Sequence, residues 1–380
     1  MENIAIIFGG ESTEHDISII SALQAGENLN KQKYNITYIY ISKKGEWFSG
    51  KELSNINFFK NFNEKMLKKV CIVPMDNRLY VKKIGGYKPI TKIDCALLIL
   101  HGKNGEDGTM QGLLELAKIP YTSPNVLGSS LGMDKIIMKQ FFKANNLKVL
   151  PYYSFSKSEY FSNYEEILNN NEFDFPKIVK PCSLGSSIGI NLCENVEELE
   201  NAIDIAFQFD ERVVVEKALT DFKEINISCL KNKEDIMLSD VEQPKNWKKF
   251  LDFEEKYLAD NNSKAPQQTE TVKISNKSLK IIKSAASKIY KKLNLTGVVR
   301  LDFMIDDNTN LIYINEINTI PGSLSFYLWK NNGYTFEKLL DLLISQAKYE
   351  FQKKQQIKTI YISDVLNKPV NTSQKTGNKI

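Results

Sequence analysis

Apolar residues run unbroken through Ile4-Ala5-Ile6-Ile7-Phe8 and again through residues 95–100, which predicts two strands buried on both faces of a parallel sheet. Gly9-Gly10 supplies a tight turn after the first strand, and a helix is expected to begin near Ser12 to Glu14 and to run past Ala22. Residues 35–42 alternate as a further strand. A helix at 108–118 and a short strand at 119–122 then complete an α/β unit that closes near residue 123. Ser129 and Ser130 are expected to cap a helix containing Asp134, Lys135 and Phe141. Strands at 149–155, 176–180 and 212–217, with a helix at 196–207 whose apolar positions are Leu199, Ala202, Ile203 and Ala206, predict a small α+β unit over 124–216. A second α+β unit over 217–352 takes strands at 224–230 and 235–241, a helix at 277–293, a hairpin at 297–322 and a last helix at 335–352. Residues 353–380 read as an extension with a frayed polar tail. The stretch 246–269 is charged, aromatic and loop-like, and a loop of that length in a compact unit is more often functional than filler.

The hairpin changes the picture most. With its turn centred near Thr309, Asp302 lies across from Glu316 and Arg300 across from Asn318, and the period of two puts all four on one face. Opposed carboxylates repel across a strand pair, so this face is explained by a hard cation with oxygen ligands at Asp302, Glu316 and Asn318. The alternative is a solvated face on which Arg300 pairs with Glu316.

Composition narrows the classes. A chain of 380 residues with a formal charge of +4, its lysines interleaved with acidic residues, is ordinary for a globular protein of two or three domains and gives no bulk signal for nucleic acid. Cys71, Cys95, Cys182, Cys193 and Cys229 are scattered without Cys-x-x-Cys, which predicts reduced thiols and a cytoplasmic location rather than disulfides or zinc. With two histidines, chemistry falls to carboxylates, Lys, Arg and backbone groups. No signal pattern or stretch of membrane-spanning length is present in the sequence.

Lys180 ends a strand and is followed by a Gly/Ser loop, Cys182-Ser183-Leu184-Gly185-Ser186-Ser187-Ile188-Gly189. Backbone N–H groups of such a loop cradle phosphate oxygens while the ammonium supplies charge, although the order of Lys and Gly is not that of a Walker A loop. With Lys135 and a magnesium hairpin, it points to a nucleoside triphosphate between two small sheets. The strand and connector Val213 to Leu219 is a core strand on its own terms. Beside the phosphate loop, the connector at Ala218 and Leu219 becomes a candidate adenine edge, with Glu216 accepting from the amino group.

In this order the motifs resemble the ATP-grasp superfamily and, within it, the D-alanine–D-alanine ligases. The resemblance is carried by Phe8-Gly9-Gly10-Glu11-Ser12-Thr13-Glu14-His15-Asp16, His101-Gly102-Lys103-Asn104-Gly105-Glu106-Asp107-Gly108, Met133-Asp134-Lys135, Lys180-Pro181 with its loop, Glu255-Lys256-Tyr257-Leu258, Arg300-Leu301-Asp302 and Glu316-Ile317-Asn318-Thr319-Ile320-Pro321-Gly322. It implies a Rossmann-like first domain and two α+β domains sandwiching ATP. Lys135, Lys180, Ser186 and Ser187 would meet the phosphates, Glu216, Lys217, Ala218 and Leu219 the adenine, and Glu224 the ribose. Asp302, Glu316 and Asn318 would hold two magnesium or manganese ions. Glu14 would bind the ammonium of the first D-alanine and His101 would stand beside the substrate, while Ser186 and Tyr257 would join Glu14 in a hydrogen-bonded set. Arg300 and the Gly322 N–H would stabilise the tetrahedral oxyanion, and Lys256 would reach the second carboxylate from a closing loop over 246–269. The implied reaction phosphorylates the first D-alanine on its carboxylate, then lets the amine of the second attack, forming D-alanyl-D-alanine for peptidoglycan. The family's usual homodimer would use the N-terminal domain, and neither nucleic acid nor membrane is implied as a partner.

The match departs after Gly322. The family's Ser for the second carboxylate is replaced by an aromatic stretch, Ser323-Leu324-Ser325-Phe326-Tyr327-Leu328-Trp329, on which Ser325 is the nearest carry-over. The segment is expected to shape the second-substrate pocket, so D-serine or another amino acid is the enzymatic alternative. An inactive ATP- or amino-acid-binding homologue is the alternative from another class, although a pure binder has no need of Arg300 beside the metal face.

Overall fold

The computed structural model describes residues 1–74, 76–83, 86–244 and 274–363. Three sheets organise them. The first has seven strands in the order Gly86–Lys92, Arg78–Lys83, Lys68–Ile72, Trp47–Ser49, Tyr34–Ile41, Glu2–Gly9, Cys95–Leu100. Glu2–Gly9 pairs in parallel with both of its neighbours, and every residue of Cys95–Leu100 is buried, as unbroken apolar runs require. Gly9 ends the strand at φ +89°, where a Cβ would lie 2.2 Å from the Ile41 carbonyl oxygen, so the turn admits no larger residue.

The four strands at the far edge carry no strong apolar alternation and were not expected. The outer three carry lysines and Pro89 sits in the outermost, and these are ordinary protections of an open edge against further pairing.

The second sheet is antiparallel in the order Asn191–Cys193, Lys177–Pro181, Arg212–Lys217, Tyr152–Ser156. The third runs Asp235–Glu242, Phe222–Asn232, Val299–Asp306, Ile312–Asn318. Between the first and second sheets the single expected helix is two. Val126–Met133 is capped by Asn125 and Lys135–Ala144 by Asp134, whose Oδ1 accepts the Ile136 and Ile137 N–H groups at 3.0 Å each; Ser129 and Ser130 lie inside the first helix rather than at a cap.

The final helix, Phe336–Gln355, buries Leu339, Leu340, Leu343 and Ile344 in one core with the seven-stranded sheet, together with Leu230 from the third sheet and Val298 just before its strand Val299–Asp306. The last unit is thereby fastened to the first through a common core. All five cysteines are unpaired, and among the described residues no helix is long and apolar enough to cross a membrane.

Candidate active site

The second and third sheets and the segments that follow two strands of the first enclose a cavity of about 860 Å³. Its walls include Glu14, His101, Lys135, Lys180, Ser186, Ser187, Glu216, Ala218, Leu219, Glu224, Arg300, Asp302, Glu316, Asn318 and Gly322. Lys217 is exposed and off this wall, and Ser325 is buried away from it. Lys256 and Tyr257, and the loop at 246–269, lie outside the described residues.

The hairpin holds the expected register, with Arg300 opposite Asn318 and Asp302 opposite Glu316. It does so through a β-bulge. From Phe303 onward the pairing is offset by one, so Asn315 is the extra residue, and its amide oxygen is aimed at Lys180 Nζ, 3.4 Å away. Arg300 pairs along its own strand, its Nε and one terminal nitrogen donating to the two oxygens of Asp302 at 2.7 and 2.8 Å. Burial opposes the guanidinium charge, and the Asp302 carboxylate outweighs it, holding the group well above its ordinary pKa. Asn318 Nδ2 also donates to Asp302 at 2.8 Å; Asn226, with its amide nitrogen turned inward, donates to Asp302 and Glu224 at 3.1 Å each.

Among the described residues no three His, Cys, Asp or Glu side chains cluster as a metal site. The hairpin offers two carboxylates and an amide instead. Such an all-oxygen set with few protein ligands fits magnesium, which keeps waters and substrate phosphates as its remaining ligands.

On the opposite wall, Ser186 and Ser187 take left-handed φ values of 52° and 60°, turning the loop after Lys180 toward the first sheet. A Cβ on Gly185 would lie 2.8 Å from Glu14 Oε2, so glycine is what lets the loop press against Glu14. Ser186 Oγ donates to Glu14 Oε1, joining elements far apart in the chain, and Lys135 Nζ donates to the Leu184 carbonyl. Glu14 Oε2 and His101 Nε2 are buried and have no hydrogen-bond partner among the described residues. Burial holds the His101 ring below its ordinary pKa, with Glu14 pulling the other way, so it stands neutral near pH 7. His15 is structural: its nitrogens sit 2.6 Å from the Gly10 carbonyl oxygen and 3.0 Å from the Tyr40 hydroxyl.

At the far end Glu216 is fully buried between two ammonium groups, Lys139 at 3.0 Å and Lys180 at 3.2 Å. Burial alone would raise its pKa, but the two lysines hold it down at about 2. The Ala218 N–H is already committed to the Pro176 carbonyl at 3.0 Å, so of the expected adenine connector that donor is spent.

Two residues of this site went unassigned in the sequence. Lys139 lies four residues after Lys135, on the same helix face, and that spacing was the available signal. Glu106, on the cavity wall, sits inside a Gly-rich motif that gave it no task; burial and then the nearby Glu14 push its carboxyl up to about 8 against three hydrogen-bond donors. The segment 323–329 does not form the expected wall. Ser323, Leu324 and Ser325 have φ values of 48°, 52° and 49°, which turn Leu324, Ser325, Leu328 and Trp329 into the interior, where the Trp329 indole donates to Ser228 Oγ at 3.1 Å. Among these residues Tyr327 is the one whose hydroxyl, pushed up to about 12 by burial, feels the Arg300 charge.

Comparison with known proteins agrees with this geometry. The family described as "D-ala D-ala ligase N-terminus" matches residues 3–124 and "D-ala D-ala ligase C-terminus" residues 141–345. The D-alanine--D-alanine ligase of Thermosipho melanesiensis is 39% identical over 358 residues, covering 93% of this chain and 96% of its own. Among solved structures, the D-alanine-D-alanine ligase from Coxiella burnetii aligns with a TM-score of 0.77 at 28% identity, over 93% of this chain and 96% of that one. VanG D-Ala:D-Ser ligase from Enterococcus faecalis aligns with a TM-score of 0.74 at 30% identity, over 91% and 99%. A phosphate-type loop facing an oxygen-rich hairpin, in a chain matched over more than nine-tenths of its length by these proteins, has one family reading: the chain is a member of the D-alanine–D-alanine ligases, with the ATP-grasp fold.

Proposed function

We propose that this protein joins two D-alanine molecules into D-alanyl-D-alanine, with ATP converted to ADP and phosphate, for peptidoglycan precursor synthesis. The observation that carries the reading is the wall shared by Glu14, Ser186 and His101. A carboxylate oxygen without a partner suits an ammonium, and its other oxygen is tied by Ser186 to the loop that follows Lys180. An amino acid held there has its carboxylate directed toward the phosphate-binding side of the cavity.

ATP lies between the units at 124–216 and 217–352 in this reading, with Lys135, Lys180, Ser186 and Ser187 on the phosphates, Glu216 and Leu219 at adenine and Glu224 at the ribose. Asp302, Glu316 and Asn318 would hold magnesium, which when bound offsets charge on phosphate oxygens. In the first step a carboxylate oxygen of D-alanine attacks the γ-phosphorus; the bond to the bridging oxygen breaks, and ADP departs with that electron pair. In the second, the amine of the other D-alanine, having lost a proton from its ammonium form, attacks the acyl carbon. A C–N bond forms, the C–O bond to phosphate breaks, and phosphate leaves as the nitrogen gives up a further proton. Arg300 and the Gly322 N–H stabilise the oxyanion between these events. The unpaired cysteines agree with a cytoplasmic location.

A second reading, in which D-serine is the second substrate, draws on the likeness to VanG and on the departure at 323–329. One assay separates the two: phosphate release from ATP and magnesium with D-alanine, then mass analysis of products formed in mixtures with D-serine, L-alanine or D-lactate. D-alanyl-D-alanine as the main product is the expected result. A preferred mixed dipeptide supports the second reading, and no D-alanine-dependent phosphate release overturns both.

A further inference from the structure

Glu106 has no part in the reaction just described, yet its carboxylate joins two ends of the site. Its Oε2 accepts the Gly102 N–H at 2.9 Å and its Oε1 the Ile320 N–H at 2.8 Å, with Thr319 Oγ1 3.4 Å from Oε1. Gly102 follows His101. Ile320 precedes Pro321 and Gly322.

Both sides of this bridge are rigid. The Glu106 N–H bonds the Gly102 carbonyl at 2.9 Å, Asp107 accepts the Asn104 N–H at 2.8 Å, and a Cβ on Gly105 would sit 2.4 Å from Leu100 Cβ. Thr319 packs against the helix Val126–Met133 so closely that a Cβ on Gly132 would be 2.5 Å from its methyl group. Pro321 has its φ fixed by the ring, at −66°, so holding the Ile320 N–H sets the direction in which the chain enters Gly322.

We infer that Glu106 is a positioning residue that sets the Gly322 N–H against the Glu14 and His101 wall. This rests on the reading of Gly322 as an oxyanion donor. A carboxylate is the group that fits, because both oxygens face N–H donors; a glutamine would turn an NH2 toward one of them. Burial first, and then the Glu14 charge, push this carboxyl up to about 8 against the pull of the Gly102, Ile320 and Thr319 donors, so the fully ionised form that both N–H groups fit is reached above that pH.

The consequence is confined to the second half of the reaction. If Gly322 shifts, phosphorylation of the first D-alanine continues while capture of the acyl phosphate by the amine slows, and water takes the intermediate instead. The test measures phosphate released and dipeptide formed by the full-length enzyme at saturating D-alanine. Wild type should give one phosphate per dipeptide. Glu106→Gln should lower the dipeptide rate ~10- to 100-fold, raise the phosphate-to-dipeptide ratio well above one, and leave the KM for ATP within about twofold. Glu106→Asp, which keeps the carboxyl group but shortens the reach to Ile320, should uncouple in the same way and carries the test if the Gln variant does not fold. A ratio that stays at one, whether both rates fall together or neither falls, overturns the inference. Absence of D-alanine-dependent phosphate release in the wild type would instead refute the ligase reading itself.

Discussion

Replacing Lys139 by Met removes one of the two ammonium groups that hold the buried Glu216 carboxylate. The Lys139 and Glu216 side chains are 2% and 1% exposed and their charged atoms are 3.0 Å apart. At an effective dielectric near 20 the attraction at that separation is about 5 kcal/mol. Relief of the buried ammonium's desolvation offsets part of it, and Lys180 at 3.2 Å continues to compensate Glu216. Breaking one side of a buried pair usually costs about 3–5 kcal/mol, so with a second lysine in place the expected loss is the lower end, about 3 kcal/mol. Measured with urea on Lys139→Met, Glu216→Gln and the double variant, the coupling energy should be about 2 kcal/mol or more, because Lys139 has little to stabilise once Glu216 is neutral. Catalysis should respond unevenly. With Lys139 gone, Glu216 neutralises Lys180, which in the proposed site is a phosphate ligand; the KM for ATP should rise about tenfold or more while that for D-alanine changes little. A coupling energy below about 0.5 kcal/mol, or equal changes in both KM values, would refute the reasoning.

Arg300→Lys keeps the charge but loses the two-point bond to Asp302, and a drop in kcat of about 10²–10³ is expected from steady-state kinetics. Glu14→Gln should raise the KM for the first D-alanine by tenfold or more, with that for ATP little moved; a change confined to ATP would remove Glu14 from the ammonium role. Glu216, depressed in the folded protein from an ordinary value near 4.5 to about 2, adds stability that is fully present above pH 4.5 and lost as pH falls toward 2. The stability gap between wild type and Glu216→Gln, read from urea midpoints, should therefore shrink by about 3 kcal/mol over that window; a constant gap would contradict the buried triad.

How much of this was legible in the sequence depends on whether the information is local. The hairpin face was readable because period two and a short turn constrain each other, and Asp302 does oppose Glu316. The means were not readable, since the turn sits half a residue earlier than expected and the bulge at Asn315 restores the register. Ser129 and Ser130 looked like caps because serine is a good cap anywhere, whereas Asn125 and Asp134 are the residues whose side chains accept first-turn N–H groups. Ser325 illustrates the limit: no periodicity in the sequence announces three successive left-handed residues, and these decide which way the segment 323–329 faces. Lys139 and Glu106 were hidden for a different reason. Glu216, the partner of Lys139, and Ile320, the far partner of Glu106, are distant in the chain, and only packing brings them together.

The distribution of charge then gives the cavity a direction. At the nucleotide end Lys139 and Lys180 flank the carboxylate of Glu216, and Lys135 stands on the same cavity wall, which places ammonium groups where a polyphosphate would enter. Around His101 stand the Glu14 carboxylate and the Glu106 carboxyl, which burial and then Glu14 push up to about 8, and the donors to them include the hydroxyls of Ser186 and Thr319 and backbone N–H groups. A zwitterion entering between these ends turns its ammonium toward Glu14 and its carboxylate toward the phosphates, the orientation that phosphoryl transfer requires. Between them Arg300 is neutralised by Asp302 in the resting site, so its guanidinium attracts neither substrate strongly from afar. Its remaining donors act at short range, where the oxyanion would form, and charge steering and transition-state stabilisation are thereby divided between different residues.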